Sequence, residues 1–311
     1  MILTTTLNAS VDKSYRLSQP IEPGSVMRVA ESHQNAGGKG LNAARAVQAL
    51  GGQVMACGFI GGNNGKTISD ILDMQRVPHS FTKVSQESRC CINVVDSQGC
   101  TTELLEPGPV ISPREQECFL ANFQKLLPSV SYLTLNGSLP QGLGKDFYAS
   151  LIELARQNQV PCLLDASGEA LQLALAASPY AIKPNTDEIA QLIGRKPETL
   201  EEVVQAAIRL RQDHHIHKVI VSLGRDGAIM ASKRGVYRGR AASIQAVNPV
   251  GSGDTLIGAF ALAQERQMAD EQALAFAMAA ASANCLSRQV GSFQLEASEE
   301  LLKTTKVTRI A

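Results

Sequence analysis

Short apolar runs of strand length alternate along this chain with longer segments whose apolar residues recur every three to four positions. The runs at 2–6, 54–59, 132–135, 162–165, 181–183, 219–223 and 227–231 read as strands. The segments 40–50, 66–74, 113–127, 144–157, 186–192, 200–214, 256–264 and 270–286 read as helices. Strands alternating with helices predict a mostly parallel sheet covered on both faces, an α/β fold. Such sheets bind ligands beyond the carboxyl ends of their strands. Gly58, Asn136, Asp165, Lys183 and Gly224 all fall at or just after a predicted strand end. Two segments break the alternation. Residues 12–34 and 88–106 are polar and alternate with period two, as in Ser25-Val26-Met27-Arg28-Val29 and Cys91-Ile92-Asn93-Val94-Val95. They predict a small separate sheet with one exposed face, suited to a lid or a dimer surface. No repeat, low-complexity tract or long linker divides the chain, so 1–311 is expected to be one domain carrying that lid.

Composition narrows the function classes. The 29 basic residues balance the 29 acidic ones, which argues against a general nucleic-acid binder and leaves room for a local basic pocket. The longest apolar stretch, 273–285, is too short and too polar to span a membrane, and the start has no signal-peptide pattern. The seven cysteines are odd in number and contain no C-x-x-C, which argues against a disulfide framework or a zinc site. A reducing cytoplasm is the expected location. His214-His215-x-His217 reads as a turn before a strand, since no acidic or thiol partner has ligand spacing.

The candidate chemistry lies in glycine-rich joints. Gly251-Ser252-Gly253-Asp254 precedes a helix. Small residues there let backbone N–H groups converge on an anion, and a carboxylate in the same turn can take a proton from an attacking hydroxyl. The plainer alternative is a loop in which Asp254 is only an N-cap. Gly37-Gly38-Lys39-Gly40-Leu41-Asn42 opens another helix, with Lys39 as a cation and Asn42 as donor and acceptor for hydroxyls. It is not a Walker A loop, because Gly40 follows the lysine and His33 holds the position of the first glycine. Arg28 and Arg89 lie in the two inserted segments and suit bidentate phosphate contact if the lid closes. Lys183-Pro184-Asn185-Thr186-Asp187-Glu188 ends a strand and opens a helix. It reads either as a capping box or as a nucleotide-phosphate site with Glu188 organising Mg²⁺ through water. Ser222-Leu223-Gly224-Arg225-Asp226-Gly227 reads either as a tight hairpin or as a loop beside phosphate or ribose. Asn284, polar within an apolar helix, either reaches an adenine or is satisfied internally.

Together these motifs resemble the ribokinase-like (PfkB) carbohydrate kinases. The resemblance runs from Leu7-Asn8-Ala9-Ser10-Val11-Asp12 through Asn136-Gly137-Ser138-Leu139-Pro140 and Leu164-Asp165-Ala166 to the Gly251–Asp254 loop. Its form is most similar to the sugar-phosphate branch, which takes tagatose 6-phosphate or fructose 1-phosphate. The resemblance implies a three-layer sandwich with a β lid that often forms a homodimer clasp. It also implies ATP with Mg²⁺ as donor and a ketohexose monophosphate as acceptor. Asp254 matches the catalytic base, and Gly251, Ser252 and Gly253 the anion hole. Asp12, Gly37, Gly38, Asn42 and Ser138 match the sugar side, and Lys39, Arg28 and Arg89 the cationic positions. Lys183, Asn185, Glu188, Ser222, Gly224, Gly227 and Asn284 match the nucleotide and magnesium side. The chain departs from the family pattern at Asn248-Pro249, at Ser252, at Ala9 and at Asn136. These departures bear on which sugar is used, not on the reaction class. An uncharged sugar or nucleoside as acceptor, or a sensor without turnover, are the competing readings.

Overall fold

The computed structural model describes residues 1–311. In chain order its first strands are β1 (Ile2–Thr6), β2 (Ser10–Leu17), β3 (Val29–Gly37), β4 (Val54–Gly61), β5 (His79–Val84), β6 (Arg89–Val95) and β7 (Thr101–Leu105). Then come β8 (Tyr132–Asn136), β9 (Cys162–Asp165), β10 (Ala181–Ile182), β11 (Lys218–Ser222), β12 (Ala228–Ser232), β13 (Gly235–Arg240) and β14 (Lys306–Arg309). The helices are α1 (Lys39–Ala49), α2 (Gly62–Met74), α3 (Pro113–Leu126), α4 (Phe147–Gln157) and α5 (Gly168–Ala174). The second half carries α6 (Thr186–Ile193), α7 (Leu200–Asp213), α8 (Ser252–Glu265), α9 (Asp270–Cys285) and α10 (Leu295–Thr304).

Ten strands form one sheet in the order β14-β13-β12-β11-β10-β9-β8-β1-β4-β5. From β5 to β11 every pairing is parallel, and β12, β13 and β14 add an antiparallel edge. Successive residues of a strand point to opposite faces, so Ile2 joins one apolar layer and Leu3 the other, as do Leu163 and Leu164. One layer packs under α1, α8 and α9, the other under α3, α4 and α7. The expected α/β sandwich is therefore present. The elements missing from the sequence reading were the edge strands β5 and β14, strand β13 next to β14, and helices α5 and α10. Edge strands face solvent along much of their length, so their apolar signal is diluted, as in Lys306-Val307-Thr308-Arg309, where only Val307 is buried.

The two inserted segments form the expected second sheet, ordered β3-β2-β6-β7. β2 is antiparallel to β3 and parallel to β6, and β6 is antiparallel to β7. β7 is exposed throughout, and β3 from Val29 to Gln34. This sheet leaves the main body at the carboxyl end of β1 and returns to it at the start of α1, which places it above the strand ends. Those ends are level: Thr6 pairs with Gly58 and Asn136, and Asn136 with Asp165.

Candidate active site

α8 begins earlier than its apolar pattern alone suggests. Gly251 is the N-cap, at φ 77°, a left-handed conformation that favours glycine. Ser252, Gly253 and Asp254 make the first turn, so Asp254 is not the cap. The Ser252 N–H is spent on Pro249 O at 3.3 Å, whereas the N–H groups of Gly251, Gly253 and Asp254 bond to nothing within the protein. Three free donors at the positive end of a 14-residue helix form an anion cradle. Ser252 thus shapes the cradle, and its neighbours donate to it.

The Asp254 carboxylate is 7% exposed and accepts from Asn42 Nδ2 at 2.7 Å. Burial is the first cause that raises its pKa, and the nearby Asp165 carboxylate is the second; Lys39, Asn42 and Lys183 oppose the rise. Asp165 ends β9, 1% exposed, with Lys183 Nζ at 3.3 Å and Lys39 Nζ at 3.5 Å. The negative charge of Asp165 is the main cause that raises the Lys39 pKa and keeps that ammonium charged. Lys183 reaches the mouth of the cradle: a methyl on Gly253 would lie 3.3 Å from its Nζ. A buried carboxylate, three free N–H groups and two cations therefore meet at the carboxyl ends of the strands, the expected place for a site in such a sheet. Asn42, predicted to hold a sugar hydroxyl, has both ends of its amide engaged, because Arg45 donates to its Oδ1 at 2.5 Å.

On the lid side, Asp12 receives Ser10 Oγ at 2.5 Å. Burial raises its pKa, with Ser10, Arg89 and Arg45 opposing. A Cβ on Gly37 would run into the Asp12 carboxylate, which is why the strand paired with Asp12 ends in glycine. Gly38 follows as the N-cap of α1, directly before Lys39. Arg89 begins β6 opposite Ser10 and donates to Asn8 O at 3.0 Å and Glu106 O at 3.4 Å, so its guanidinium is fixed beside Asp12. Ser138 is exposed in the loop after β8 and accepts from Asn8 Nδ2 at 3.3 Å. Arg28 is not brought to this site. It is exposed just before Val29, which pairs with Leu17 at the far tip of the lid. Leu17 is five residue steps along β2 from Asp12, about 17 Å at the usual rise.

On the opposite side Asn185 and Glu188 form the capping box of α6. Asn185 Oδ1 accepts from Glu188 N at 2.8 Å, and Glu188 Oε2 accepts from Asn185 N at 2.9 Å. The box leaves Asn185 Nδ2 and Glu188 Oε1 uncommitted, so the capping and ligand readings are compatible. Ser222 bridges to Asn185, and its N–H donates to Pro184 O at 3.0 Å. Gly224 and Gly227 sit in the hairpin turn between β11 and β12, and Leu223 N donates to Gly227 O at 2.8 Å. Asn284 corrects the expectation of an adenine contact. It is 1% exposed, donates to Val250 O at 2.9 Å and accepts from Gly291 N at 2.7 Å. Its amide clamps the cradle loop to the segment after α9.

Two site residues were not singled out as site members from the sequence: Asp165 and Arg45. Asp165 had a signal, as an acid at the end of an apolar parallel strand. Arg45 had one too, as a single charge inside Ala43-Ala44-Arg45-Ala46-Val47, one helical turn from Asn42.

Sequence and structure comparisons place the chain among known proteins. The pfkB family carbohydrate kinase profile matches residues 5–297. The chain belongs to that family. Tagatose-6-phosphate kinases from two strains of Staphylococcus epidermidis are 36% identical to it over 312 residues, covering 100% of both chains. Phosphofructokinase-2 from Escherichia coli in complex with fructose-6-phosphate superposes with a TM-score of 0.90 at 26% identity, covering 97% of this chain and 98% of that one. Arabidopsis thaliana ribokinase complexed with ribose and ATP shares the fold, with a TM-score of 0.80 at 20% identity over 97% and 98% of the two chains. This family member is an ATP-dependent sugar-phosphate kinase. No helix of it is long and apolar enough to cross a membrane.

Proposed function

We propose that this kinase phosphorylates tagatose 6-phosphate to the 1,6-bisphosphate. The observation that carries the reading is the buried Asp254 carboxylate at the mouth of three free backbone N–H groups, with Lys39 and Arg89 on the acceptor side. The 36% identity to tagatose-6-phosphate kinases over the full chain supports the choice of sugar. The acceptor hydroxyl of the sugar attacks the γ-phosphorus of ATP as Asp254 takes its proton. A P–O bond to the sugar forms, and the bond to the β-phosphate bridging oxygen breaks, so ADP leaves with the electron pair. The free N–H groups of Gly251, Gly253 and Asp254 face the charge that builds on the transferring group. Arg89 and Lys39 hold the phosphate the sugar already carries, and Asp12 orients a sugar hydroxyl.

The residues also fit magnesium. Buried Asp165 accepts no hydrogen bond, the Lys183 and Lys39 ammonium groups standing only at ion-pair distance from its Oδ1, and Glu188 keeps one oxygen outside its capping box. Mg²⁺ commonly uses one or two carboxylates, directly or through water, together with substrate phosphates. When bound it would neutralise phosphate charge. The ATP phosphates would lie between Lys183, Asn185 and the cradle.

The small sheet exposes Val29 on β3 and, on the two faces of its edge strand β7, Leu104 and Leu105, with Val26 exposed in the loop before β3. We assign this sheet as the contact of a homodimer. Seven free cysteines suit a reducing cytoplasm.

Fructose 1-phosphate is the second reading, because a ketohexose bisphosphate is nearly symmetric end to end and the same cations can hold either phosphate. ADP release measured in parallel with tagatose 6-phosphate, fructose 1-phosphate and fructose 6-phosphate decides. The expected order places tagatose 6-phosphate first in kcat/KM. Turnover only with an uncharged sugar would overturn the reading.

A further inference from the structure

Arg45 is 6% exposed in the middle of α1, yet it has no carboxylate within ion-pair distance. Burying a charge without a counter-charge is costly, and an apolar side chain of similar volume is often tolerated at such a place. Its hydrogen bonds point to what the charge does. Arg45 donates to Asn42 Oδ1 at 2.5 Å, to Ala36 O at 3.0 Å and to Gln75 Oε1 at 3.5 Å. Asn42 in turn donates through Nδ2 to Asp254 Oδ2 at 2.7 Å.

The two ends of an asparagine amide are nearly identical in shape and opposite in polarity. Turned over, the Asn42 amide would place a carbonyl oxygen against the Asp254 carboxylate. Two acceptors in contact repel unless one carries a proton, and a protonated Asp254 cannot act as a base. Something must therefore choose between the two orientations. A guanidinium has five donors and no acceptor, so it accepts only the oxygen end of the amide as a neighbour. The other charged groups facing Asp254 are Asp165, Lys39 and Lys183, and Asp12 also faces Arg45. None of these four is hydrogen-bonded to the Asn42 amide.

We infer that Arg45 is a positioning residue for phosphoryl transfer: its donor-only side chain fixes the Asn42 amide so that Nδ2, not Oδ1, meets the catalytic carboxylate. The inference rests on Asp254 as the base. The same guanidinium also holds Ala36 O, in strand β3, so one side chain joins the lid root to α1 and, through Asn42, reaches Asp254 on α8.

The experiment is a double-mutant cycle with pH-resolved kinetics. Arg45→Met keeps length and packing but loses the donors, Arg45→Gln keeps polarity but accepts as well as donates, and Arg45→Lys remains donor-only. Melting curves establish which variants fold. In Arg45→Met, kcat is expected to fall by about 10–100-fold, the range for a partner that orients a functional ligand. KM for the sugar phosphate should change much less. The acidic limb of the kcat profile should move to higher pH, because Asp254 loses the donor that favours its charged form. Arg45→Gln should follow Arg45→Met, and Arg45→Lys should recover most of the turnover and the wild-type acidic limb. In an Asn42→Ala background, Arg45→Met should cost little more, since the route through Asn42 is already gone.

Additive losses in the cycle overturn the proposal. So does an Arg45→Met enzyme with unchanged kcat and acidic limb, or an Arg45→Lys enzyme no better than Arg45→Gln. If Arg45→Met does not fold, Arg45→Gln and Arg45→Lys carry the comparison. If no variant folds, Arg45 belongs to the core and the inference fails. The base assignment is judged separately by Asp254→Asn: turnover retained there removes the base, whatever Arg45 does.

Discussion

Asp254 carries opposing demands at the scale of one residue. Burial and the Asp165 carboxylate disfavour its charge, while the proposed role as base requires that charge. Asp254→Asn should lower kcat by about 10²–10⁴-fold, the usual contribution of a general base, with an unchanged circular-dichroism spectrum. The wild-type kcat should fall on its acidic side at a pH above the ordinary carboxylate range, because the base works only when ionised. The sign for stability is the reverse. A carboxyl whose folded pKa is raised binds its proton more tightly in the folded chain than in the unfolded one. The stability linked to that proton is fully present below the unfolded value of about 3.9 and is lost as pH rises through the folded value. Asp254→Asn cannot ionise, so it should melt higher than wild type at neutral pH, with the difference shrinking toward pH 4. Equal melting temperatures at neutral pH would contradict the burial argument. Asp254 and Lys39 were legible because each stands in a glycine-rich joint whose composition needs explaining. Asp165 and Arg45 carried only a signal of position, since their roles depend on what lies across the sheet or one helical turn away.

At the scale of elements, the start of α8 matters more than its length. Its apolar pattern begins at Leu256, but the helical backbone begins at Ser252, because the first turn is occupied by small and acidic residues with no apolar signal. That earlier start aims the free N–H groups into the site. Asn248, one of the departures from the family pattern, makes a local turn: its Oδ1 accepts from Val250 N at 3.0 Å and its Nδ2 donates to Arg288 O at 3.2 Å. Its side chain therefore supports the loop. The lid strands show which expected cations one chain assembles. Arg89 stands at the lid root and Arg28 at its tip. Arg89→Ala should raise KM for the sugar phosphate by about 10–100-fold, the cost of losing charged hydrogen bonds, with little change in kcat; initial rates across sugar-phosphate concentration check it. For the small sheet as a dimer contact, Leu104→Glu combined with Leu105→Glu on its edge strand should shift light-scattering mass from dimer to monomer. On the nucleotide side, Glu188→Gln keeps an oxygen for the capping box and loses the charge. Its magnesium requirement should rise about tenfold, in line with the loss of a supporting metal partner, while its melting temperature moves little.

The whole molecule separates stability from chemistry by distance along the strands. The two apolar layers fill the faces of the ten-stranded sheet, and the reacting groups gather at its carboxyl edge. The alternation of apolar runs and helical segments made this architecture readable, because a sheet buried on both faces leaves strong runs such as Val219-Ile220-Val221. The antiparallel end was less readable: β14 pairs with one neighbour only, and β13 carries a single apolar pair, Val236-Tyr237. Phe119 shows what the interior contributes. It is fully buried, with ring centroids 4.7 Å from Phe59, 5.7 Å from Phe123 and 6.1 Å from Phe147. Phe119→Ala should cost about 3–5 kcal/mol, read from urea unfolding, with kcat nearly unchanged under folding conditions.

The anion cradle has a consequence for how this enzyme can change over time. Its donors are main-chain N–H groups, which every residue except proline supplies, whereas the acceptor pocket depends on the identities of Asp12, Lys39 and Arg89. Random substitution therefore reaches the choice of sugar more readily than it reaches the cradle, provided that Asp254 is kept. A lineage built on this loop can try new acceptors one side chain at a time and remain a kinase throughout.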